Sequence, residues 1–260
     1  MEKKFVLSDV TKEVIINGDV ILLRRIKACR DFSDVKKGEF GGWVEVMDNL
    51  SQNGDCWLYD DSMAIGQSKV SENATLYGYS SVSGNSMVNG NAVMNDHAKL
   101  FDNARLNDNA ELKGSSVMSG NAAAYENAHI MDKVKIGGCA LVYGSALVFG
   151  DSVINGGKIC GNAMIMDAII NGGLIDCYAQ ITHKVTINDS SDYLYFKNPY
   201  NDGIEITWTR QDDTWHIGLW QGTTDELLQN ARKSNNMYHD YLKALTNVVA
   251  VLKDKNESDV

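Results

Sequence analysis

Residues 73–78, 79–84 and 85–90 read NATLYG, YSSVSG and NSMVNG, three copies of one six-residue unit. This unit, or hexad, repeats seventeen times from Asp55 to Gly156 without an insertion or a deletion. Its second position is Ala or Ser in fifteen hexads, its fourth is Leu, Val, Ile or Met in fifteen, and its sixth is Gly, Asp or Glu in all seventeen. The period predicts a stack of similar units, because no single hexad can bury its apolar side chains alone.

Each hexad predicts a short strand followed by a corner. Positions two and four lie on one face of a strand and point inward, whereas positions three and five point outward. Position six and the next position one form the corner, where Gly or Asn accepts a positive φ and an Asp side chain can bond its own backbone. Two weaker hexads, WVEVMD from Trp43 and NLSQNG from Asn49, extend the array to nineteen.

Composition divides the chain into three regions. Residues 1–42 are rich in β-formers around an Asn17-Gly18 turn signal and predict a hairpin that caps the open end of the array. Residues 43–189 hold the repeats, whose register slips near Gly157 and which end near residue 188.

Residues 190–260 predict a small α+β domain with a hairpin and two helices. Alternating apolar residues on either side of a turn at 211–214 indicate the antiparallel hairpin. These residues are Ile204, Ile206, Trp208, Trp215, Ile217 and Leu219. The segment TTDE at Thr223–Glu226 has the form of a capping box before a short helix, and apolar residues at helical spacing between Tyr238 and Leu252 predict a final amphipathic helix.

The composition of the 260 residues, with a net charge of −10, bears on location, cysteine chemistry and partners. We expect a cytoplasmic protein, because no apolar stretch approaches the roughly 18 residues of a membrane span and the N-terminus lacks a signal-peptide core. The five cysteines form no CxxC pair, which favours free thiols over disulfides or a metal site. The acidic balance argues against generic nucleic-acid binding but permits a basic protein partner.

The array resembles the hexapeptide-repeat proteins that form a left-handed parallel β-helix with three hexads in each triangular coil. That resemblance implies the hand of the helix, and the nineteen hexads then form about six coils, or roughly 30 Å of prism at about 4.8 Å per strand. The fold class expected is therefore mainly β: a left-handed parallel β-helix with an N-terminal β cap and a small C-terminal α+β domain.

Two further segments carry a closer resemblance. They are LLRRIKACRDFSDVKKGEFGGWVEVMDNLSQNGDCWLYDD at residues 22–61 and WHIGLWQGTTDELLQNA at residues 215–231. With the hexads between them they resemble a trimeric hexapeptide-repeat family common in bacteriophages and prophages, whose members are often labelled transferases. The resemblance implies a homotrimer about an axis parallel to the prism and, for a phage protein, a location in the host cytoplasm.

Two histidines are the candidates for a catalytic base. Hexapeptide acyltransferases, as the resemblance implies, use a histidine between subunits and acyl-CoA as cosubstrate. His97 lies at a corner and His129 at an outward third position, so either could act as a general base if the chain is an enzyme. His183 lies at the irregular end of the array, and His216 on the hairpin is expected to be exposed. The residues show no Ser-His-Asp or metal-ligand spacing, so no catalytic residue is favoured and no cofactor is expected otherwise.

Outward apolar residues indicate function more clearly than the histidines do. Positions eighteen residues apart stack on successive coils. They predict one stripe with Tyr125 under Tyr143 and a second with Met131 under Phe149. Exposed patches of this kind indicate an interface, either between subunits or with the C-terminal domain. The candidate interface residues are Tyr125, Tyr143, Leu141, Met131, Phe149 and Leu147.

Outward basic residues are candidates for binding an anionic ligand at a subunit crevice. An ordinary solvated face, or charge that protects an edge strand, is the alternative explanation. The candidates are Lys69, Lys99, Arg105, Lys113, Lys135, Arg24 and Arg25.

Three functions remain open from the sequence. The phage-type resemblance and the missing catalytic constellation favour a non-enzymatic trimeric binding or scaffold protein that sequesters a ligand or inhibits a host protein, as in counter-defence. The alternatives are a hexapeptide-repeat acyltransferase that acts at subunit interfaces and a structural virion or assembly component.

Overall fold

The computed structural model describes residues 2–16, 18–182, 184–200, 205–218, 220–233 and 236–257. It shows a parallel β-helix with three faces, an N-terminal hairpin and a C-terminal antiparallel sheet with two helices. The predicted fold class is confirmed: the chain is mainly β, and its hexapeptide repeats build the β-helix. Within the described ranges, none of the helices combines the length and the hydropathy needed to cross a bilayer.

The N-terminal hairpin extends one face of the β-helix. Its strands β1 (Phe5–Ile16) and β2 (Asp19–Ala28) pair antiparallel, and β2 pairs antiparallel with β3 (Phe40–Val44). Strand β3 then pairs in parallel with the next strand of the β-helix. Of the predicted turn, Gly18 has a φ of +93°, and Asn17 lies outside the described residues.

The three faces are parallel sheets with one strand per coil. Face one, in order, contains β3, β5 (Met63–Ala64), β8 (Ser81–Val82), β11 (Lys99–Leu100), β14 (Val117–Met118), β17 (Lys135–Ile136), β20 (Val153–Ile154), β23 (Ile169–Ile170) and β26 (Thr186–Ile187). Face two contains β4 (Trp57–Leu58), β7 (Thr75–Leu76), β10 (Val93–Met94), β13 (Glu111–Leu112), β16 (His129–Ile130), β19 (Leu147–Phe149), β22 (Met164–Met166) and β25 (Gln180–Thr182). Face three contains β6 (Lys69–Val70), β9 (Met87–Val88), β12 (Arg105–Leu106), β15 (Ala123–Ala124), β18 (Leu141–Val142), β21 (Lys158–Ile159) and β24 (Leu174–Ile175).

The register follows the sequence period. In the regular coils, residues eighteen apart are partners, as Glu111 and His129 are. At the slip expected near Gly157 the interval shortens, because Val153 pairs with Ile169 sixteen residues later. The irregular segment nevertheless adds further coils, and β26 is the last strand of the β-helix.

The core and the corners have the predicted composition. Positions two and four are buried, as Ala110 and Leu112 are, and most sixth positions have a positive φ. One expectation was wrong: an acidic sixth residue bonds the next coil rather than its own backbone. Asp96 Oδ2 accepts a hydrogen bond from the amide of Gly114 at 3.0 Å, and Glu126 Oε2 likewise accepts one from Gly144 at 2.8 Å. Acidic corners therefore tie each coil to the one above it.

The N-terminal end of the β-helix exposes carbonyl groups. The amide of Lys99 donates to the carbonyl of Ser116 on the following coil, so the equivalent carbonyls of the first coil have no preceding coil to pair with. The buried ammonium of Lys4 donates to the carbonyl of Cys56 at 2.8 Å and to that of Gly54 at 3.2 Å. This side chain satisfies acceptors that a preceding coil would otherwise bond.

The C-terminal end exposes amide groups and is capped by side-chain oxygens. The amide of Leu174 donates to Ser190 Oγ at 2.8 Å, and the amide of Gln180 donates to Thr207 Oγ1 at 3.0 Å. Tyr193 Oη accepts from the amide of Asp176 at 3.4 Å. Lys4 therefore donates to carbonyls at one end, whereas at the other end Ser190 and Thr207 accept from amides and Tyr193 also donates to the carbonyl of Leu174.

The C-terminal domain is a four-stranded antiparallel sheet covered by two helices. Its elements are β27 (Tyr193–Phe196), β28 (Ile206–Thr209), β29 (Thr214–Ile217), β30 (Trp220–Gly222), α1 (Thr224–Ala231) and α2 (Asn236–Glu257), and short 3₁₀ helices lie at Met47–Asn49 and Ser190–Asp192. The predicted hairpin is the central pair β28–β29, to which sequence reasoning did not add β27 and β30. The capping box is confirmed, since Glu226 accepts from the amide of Thr223 at 2.9 Å. Ile204 and Leu219 lie outside the described residues.

The expectation for His216 was wrong. Its ring is 2% exposed and lies between Thr182 Oγ1, at 3.0 Å from Nδ1, and Thr209 Oγ1, at 3.2 Å from Nε2. Thr182 belongs to the last coil, so this histidine joins the C-terminal sheet to the end of the β-helix. His183 lies outside the described residues.

Candidate functional site

A histidine and a carboxylate meet on face two. Both His129 and Glu111 occupy outward third positions, and they are parallel partners eighteen residues apart. His129 Nδ1 lies 3.0 Å from Glu111 Oε2, and Lys113 Nζ lies 2.6 Å from the same oxygen. The imidazole is 43% exposed and the carboxylate 26%. The repeat therefore places an oriented imidazole on the outer surface of the prism.

The charge on Glu111 determines how this pair works. Burial alone would raise its pKa, but the hydrogen bonds from Lys113 and His129 outweigh burial and hold the pKa below its usual range. An ionised carboxylate has no proton to donate, so the hydrogen bond must run from the Nδ1–H group of the ring. The neutral imidazole then carries its lone pair on Nε2. A general base oriented by a carboxylate has this arrangement.

Apolar residues follow His129 on the succeeding coils of face two. Leu147 is the partner of His129 on the following coil, and Met164 is the partner of Leu147 on the next. Five half-buried residues form an apolar surface here, which we call the face-two apolar strip: Met131, Leu147, Phe149, Met164 and Met166. The ring therefore lies between a charged pair toward the N-terminus and an apolar surface toward the C-terminus.

A second apolar stripe lies around the corner on face three. Tyr125 and Tyr143 stack as their spacing predicts, with ring centroids 4.9 Å apart and planes inclined by 5°. A hydrogen bond with Cys160, together with burial, raises the pKa of Tyr143 to about 12. Leu141 is half-buried in the same stripe. The C-terminal domain contacts the last coil, beyond these residues, and the role of the stripe as a subunit contact stays a prediction.

His97 has a different environment. Its exposed ring stacks on Tyr79 with centroids 5.2 Å apart and planes inclined by 5°. In the described part of the chain, the contacts of His97 include no hydrogen bond or ion pair with a carboxylate. Of the two candidate bases, His129 alone has a carboxylate that orients its ring.

The basic candidates do not converge within one chain. Lys69 and Arg105 lie on face three with Met87 between them, and Lys99 and Lys135 lie on face one with Val117 between them. Lys113 is already paired with Glu111.

The two arginines near the cap have partners. Arg24 lies 3.7 Å from a carboxylate oxygen of Asp9. Arg25 donates to the carbonyl of Gly41 at 2.9 Å, and its guanidinium lies 5.3 Å from the Trp43 ring centroid. Both side chains therefore support the N-terminal hairpin.

Sequence reasoning missed Glu111. The signal was present, because the eighteen-residue spacing that pairs Tyr125 with Tyr143 also pairs Glu111 with His129. Across the residues that the structure describes, no cluster of three or more His, Cys, Asp or Glu side chains is arranged to hold a metal ion.

Fold and site together define the class: a β-helix of hexapeptide repeats with a carboxylate-oriented histidine on its outer surface. No family model matches the chain. A segment of 65 residues is 42% identical to a protein of Escherichia coli (strain K12) named uncharacterized acetyltransferase YdcK. The match covers 25% of this chain and 20% of that protein, so the chain corresponds to about a fifth of that relative's length. Neither comparison indicates a bacteriophage or prophage origin.

Proposed function

We propose that the protein is an acyltransferase that moves an acyl group from an acyl thioester, such as acyl-CoA, to a hydroxyl or amine acceptor. The observation that carries the proposal is the 3.0 Å contact between His129 Nδ1 and Glu111 Oε2, which leaves Nε2 as the proton acceptor. The similarity to a protein named an acetyltransferase supports the same reaction class.

In this reaction His129 Nε2 takes the proton of the acceptor as its oxygen or nitrogen attacks the thioester carbonyl. The new bond to the acyl carbon forms, the carbon–sulfur bond breaks, and the thiolate leaves and receives the proton. Glu111 holds the ring in one tautomer and stabilises the imidazolium that forms in between. The face-two apolar strip offers a surface for the apolar part of a substrate or of a second subunit.

The sequence alone favoured a non-enzymatic binding or scaffold protein. That preference depended on the apparent lack of a catalytic constellation, and the Glu111–His129 pair supplies one. The structure and the comparisons provide no support for host-protein inhibition, counter-defence or a virion role. The acyltransferase alternative is therefore the better explanation of the site.

A homotrimer would complete the site and belongs to the same proposal. The face-two apolar strip and the Tyr125–Tyr143 stripe flank one corner of the prism, and a neighbouring copy packed there would bury both and enclose Nε2 of His129. Light scattering should then give a mass three times the 28.6 kDa of one chain. A Tyr143→Glu, Phe149→Glu variant should be monomeric and inactive. A monomeric wild-type protein would refute the trimer.

The direct test is turnover of acetyl-CoA with a panel of amine and hydroxyl acceptors, measured as release of the CoA thiol. His129→Ala should lower kcat/KM by about 10² to 10⁴-fold, the usual contribution of a general base. Glu111→Gln should lower it by about tenfold, because a charge-assisted hydrogen bond at a half-exposed site contributes about 1.5 kcal/mol. His97→Ala is the matched control and should retain wild-type activity.

Two outcomes would contradict this assignment. One is equal loss of activity in His97→Ala and His129→Ala. The other is the lack of measurable acetyl-CoA binding to the wild-type protein by calorimetry.

A further inference from the structure

A groove runs between the tip of the N-terminal hairpin and face one, on a different face of the prism from His129. Its volume is about 830 Å³. The apolar lining comes from the hairpin on one side and from outward positions of successive coils on the other. The main apolar lining residues are Val14, Ile15, Ile21, Ile65, Tyr79 and Phe101.

The hairpin forms a wall of this groove because it is much longer than the strands beneath it. Strands β1 and β2 have 12 and 10 residues, whereas β5 and β8 have two each. Val14, Ile16 and Ile21 pack against a buried cluster of Leu23, Trp43 and Ile65, which fixes the tip in place. Ile15 also lines the groove and is 75% exposed. The fold therefore holds the hairpin tip in place as an apolar wall of the groove.

Lys99 supplies the positive charge in this lining. The two carboxylates that line the groove already accept backbone amides: Glu45 from Gly66 at 2.7 Å and Asp102 from Gly120 at 3.0 Å. Lys99 is exposed and, among the described residues, forms no ion pair. Its parallel partner Ser81 places a hydroxyl on the neighbouring strand, about 4.8 Å away. An ammonium and a hydroxyl on neighbouring strands are two donors suited to a carboxylate ligand.

The backbone of the groove floor excludes a peptide strand as the ligand. Strand β8 is hydrogen-bonded to β5 on one side and to β11 on the other, so the amides and carbonyls of the floor are already paired. A β-strand of another chain would therefore find no unpaired backbone groups to hydrogen-bond there. Recognition must therefore use side chains, which here are aliphatic and aromatic together with two serines, one cation and two carboxylates that each accept a backbone amide.

We propose that this groove binds a single-chain aliphatic carboxylate, with its hydrocarbon chain between the hairpin and face one and its carboxylate on Lys99 and Ser81. The volume lies within the roughly 300–1,000 Å³ of small-molecule sites. The ligand neutralises Lys99, and its chain covers the apolar wall that includes Ile15. This site is independent of acyl transfer at His129, so either proposal can fail without the other.

Isothermal titration with dodecanoate tests the proposal on the full-length protein. We expect one binding site per chain and at least tenfold weaker binding by Lys99→Gln, because the carboxylate loses a charge-assisted partner. Lys135→Gln is the matched control, since Lys135 occupies the same position of face one two coils further along, outside the groove, and should bind like the wild type. Ser83→Trp, which fills the floor, should abolish binding while circular dichroism shows an unchanged fold.

Three results would overturn the proposal. The first is no saturable heat with dodecanoate. The second is equal affinity for dodecyltrimethylammonium, which would show that Lys99 does not select an anion. The third is a concentration-dependent dimer that dissociates on Ile15→Asp substitution, which would show that a second copy of the chain occupies the groove.

Discussion

Two adjacent glycines at one corner predict opposite effects of the same substitution. Gly138 occupies a sixth position with a φ of +61°, and a Cβ atom there would lie 2.3 Å from the backbone carbonyl oxygen of Asn155 on the next coil. Gly137 does not have a positive φ, and the nearest atom to its added Cβ is Ser119 Oγ at 3.6 Å. The side chain of alanine therefore fits at one position and not at the other.

The magnitudes follow from these two environments. Alanine in the left-handed region costs about 1–2 kcal/mol, and the overlap with the next coil adds at least about 1 kcal/mol, so Gly138→Ala should destabilise by about 2–4 kcal/mol. Gly137→Ala should stabilise by about 0.4–1 kcal/mol, because alanine reduces the conformational entropy of the unfolded chain.

Urea unfolding monitored by circular dichroism measures both variants under the same conditions. A shift in the midpoint at constant slope reports the change in free energy of unfolding. In thermal unfolding, Gly138→Ala should lower Tm by roughly 2–4 °C per kcal/mol of lost stability. If the two variants proved equally stable, the corners would not be the rigid, closely stacked elements that the structure shows.

Three further predictions concern the caps and the charged pair. Lys4→Met should destabilise by about 1–3 kcal/mol in urea unfolding, because it leaves buried carbonyls without a donor. Burial also lowers the pKa of Lys4, so wild-type stability should rise with pH toward the unfolded value of 10.5, and the variant should lack this rise. The lowered pKa of Glu111 means that its pairing stabilises the protein above about pH 4.5 and is lost in more acidic solution, and Glu111→Gln should flatten that acid dependence. Tyr193→Phe removes a hydroxyl that donates to the carbonyl of Leu174 at 3.0 Å and should cost about 1 kcal/mol in thermal unfolding, whereas no change in Tm would argue against its capping role.

The β-helix could be predicted in detail because each hexad repeats the same local chemistry. Small residues at position two and branched or long aliphatic residues at position four can point only inward, so the core columns follow from the period. The bonding of acidic corner residues could not be predicted in this way. Asp96 bonds an amide on the next coil, and this contact becomes visible only when coils are stacked.

The site was only half predicted. The period predicts that His129 faces outward, but Glu111 is recognised as its partner only when the eighteen-residue spacing is extended from apolar to charged residues. The alternation of its own strand predicts an exposed His216. Its burial depends on Thr182, which lies in another region of the chain, and contacts between regions leave no periodic trace in a sequence.

The side-chain caps at the two ends have a consequence for how such a chain can change in length. Lys4 recognises the carbonyls of a first coil, and Thr207 recognises an amide of a last coil, regardless of how many coils lie between them. Adding or removing eighteen residues in the regular part would leave every ladder, corner and cap with an equivalent partner. The length of the prism can therefore vary in whole coils during evolution or design. Each added coil moves the two capping regions about 4.8 Å further apart and changes the distance from His129 to the cap on the side of the insertion.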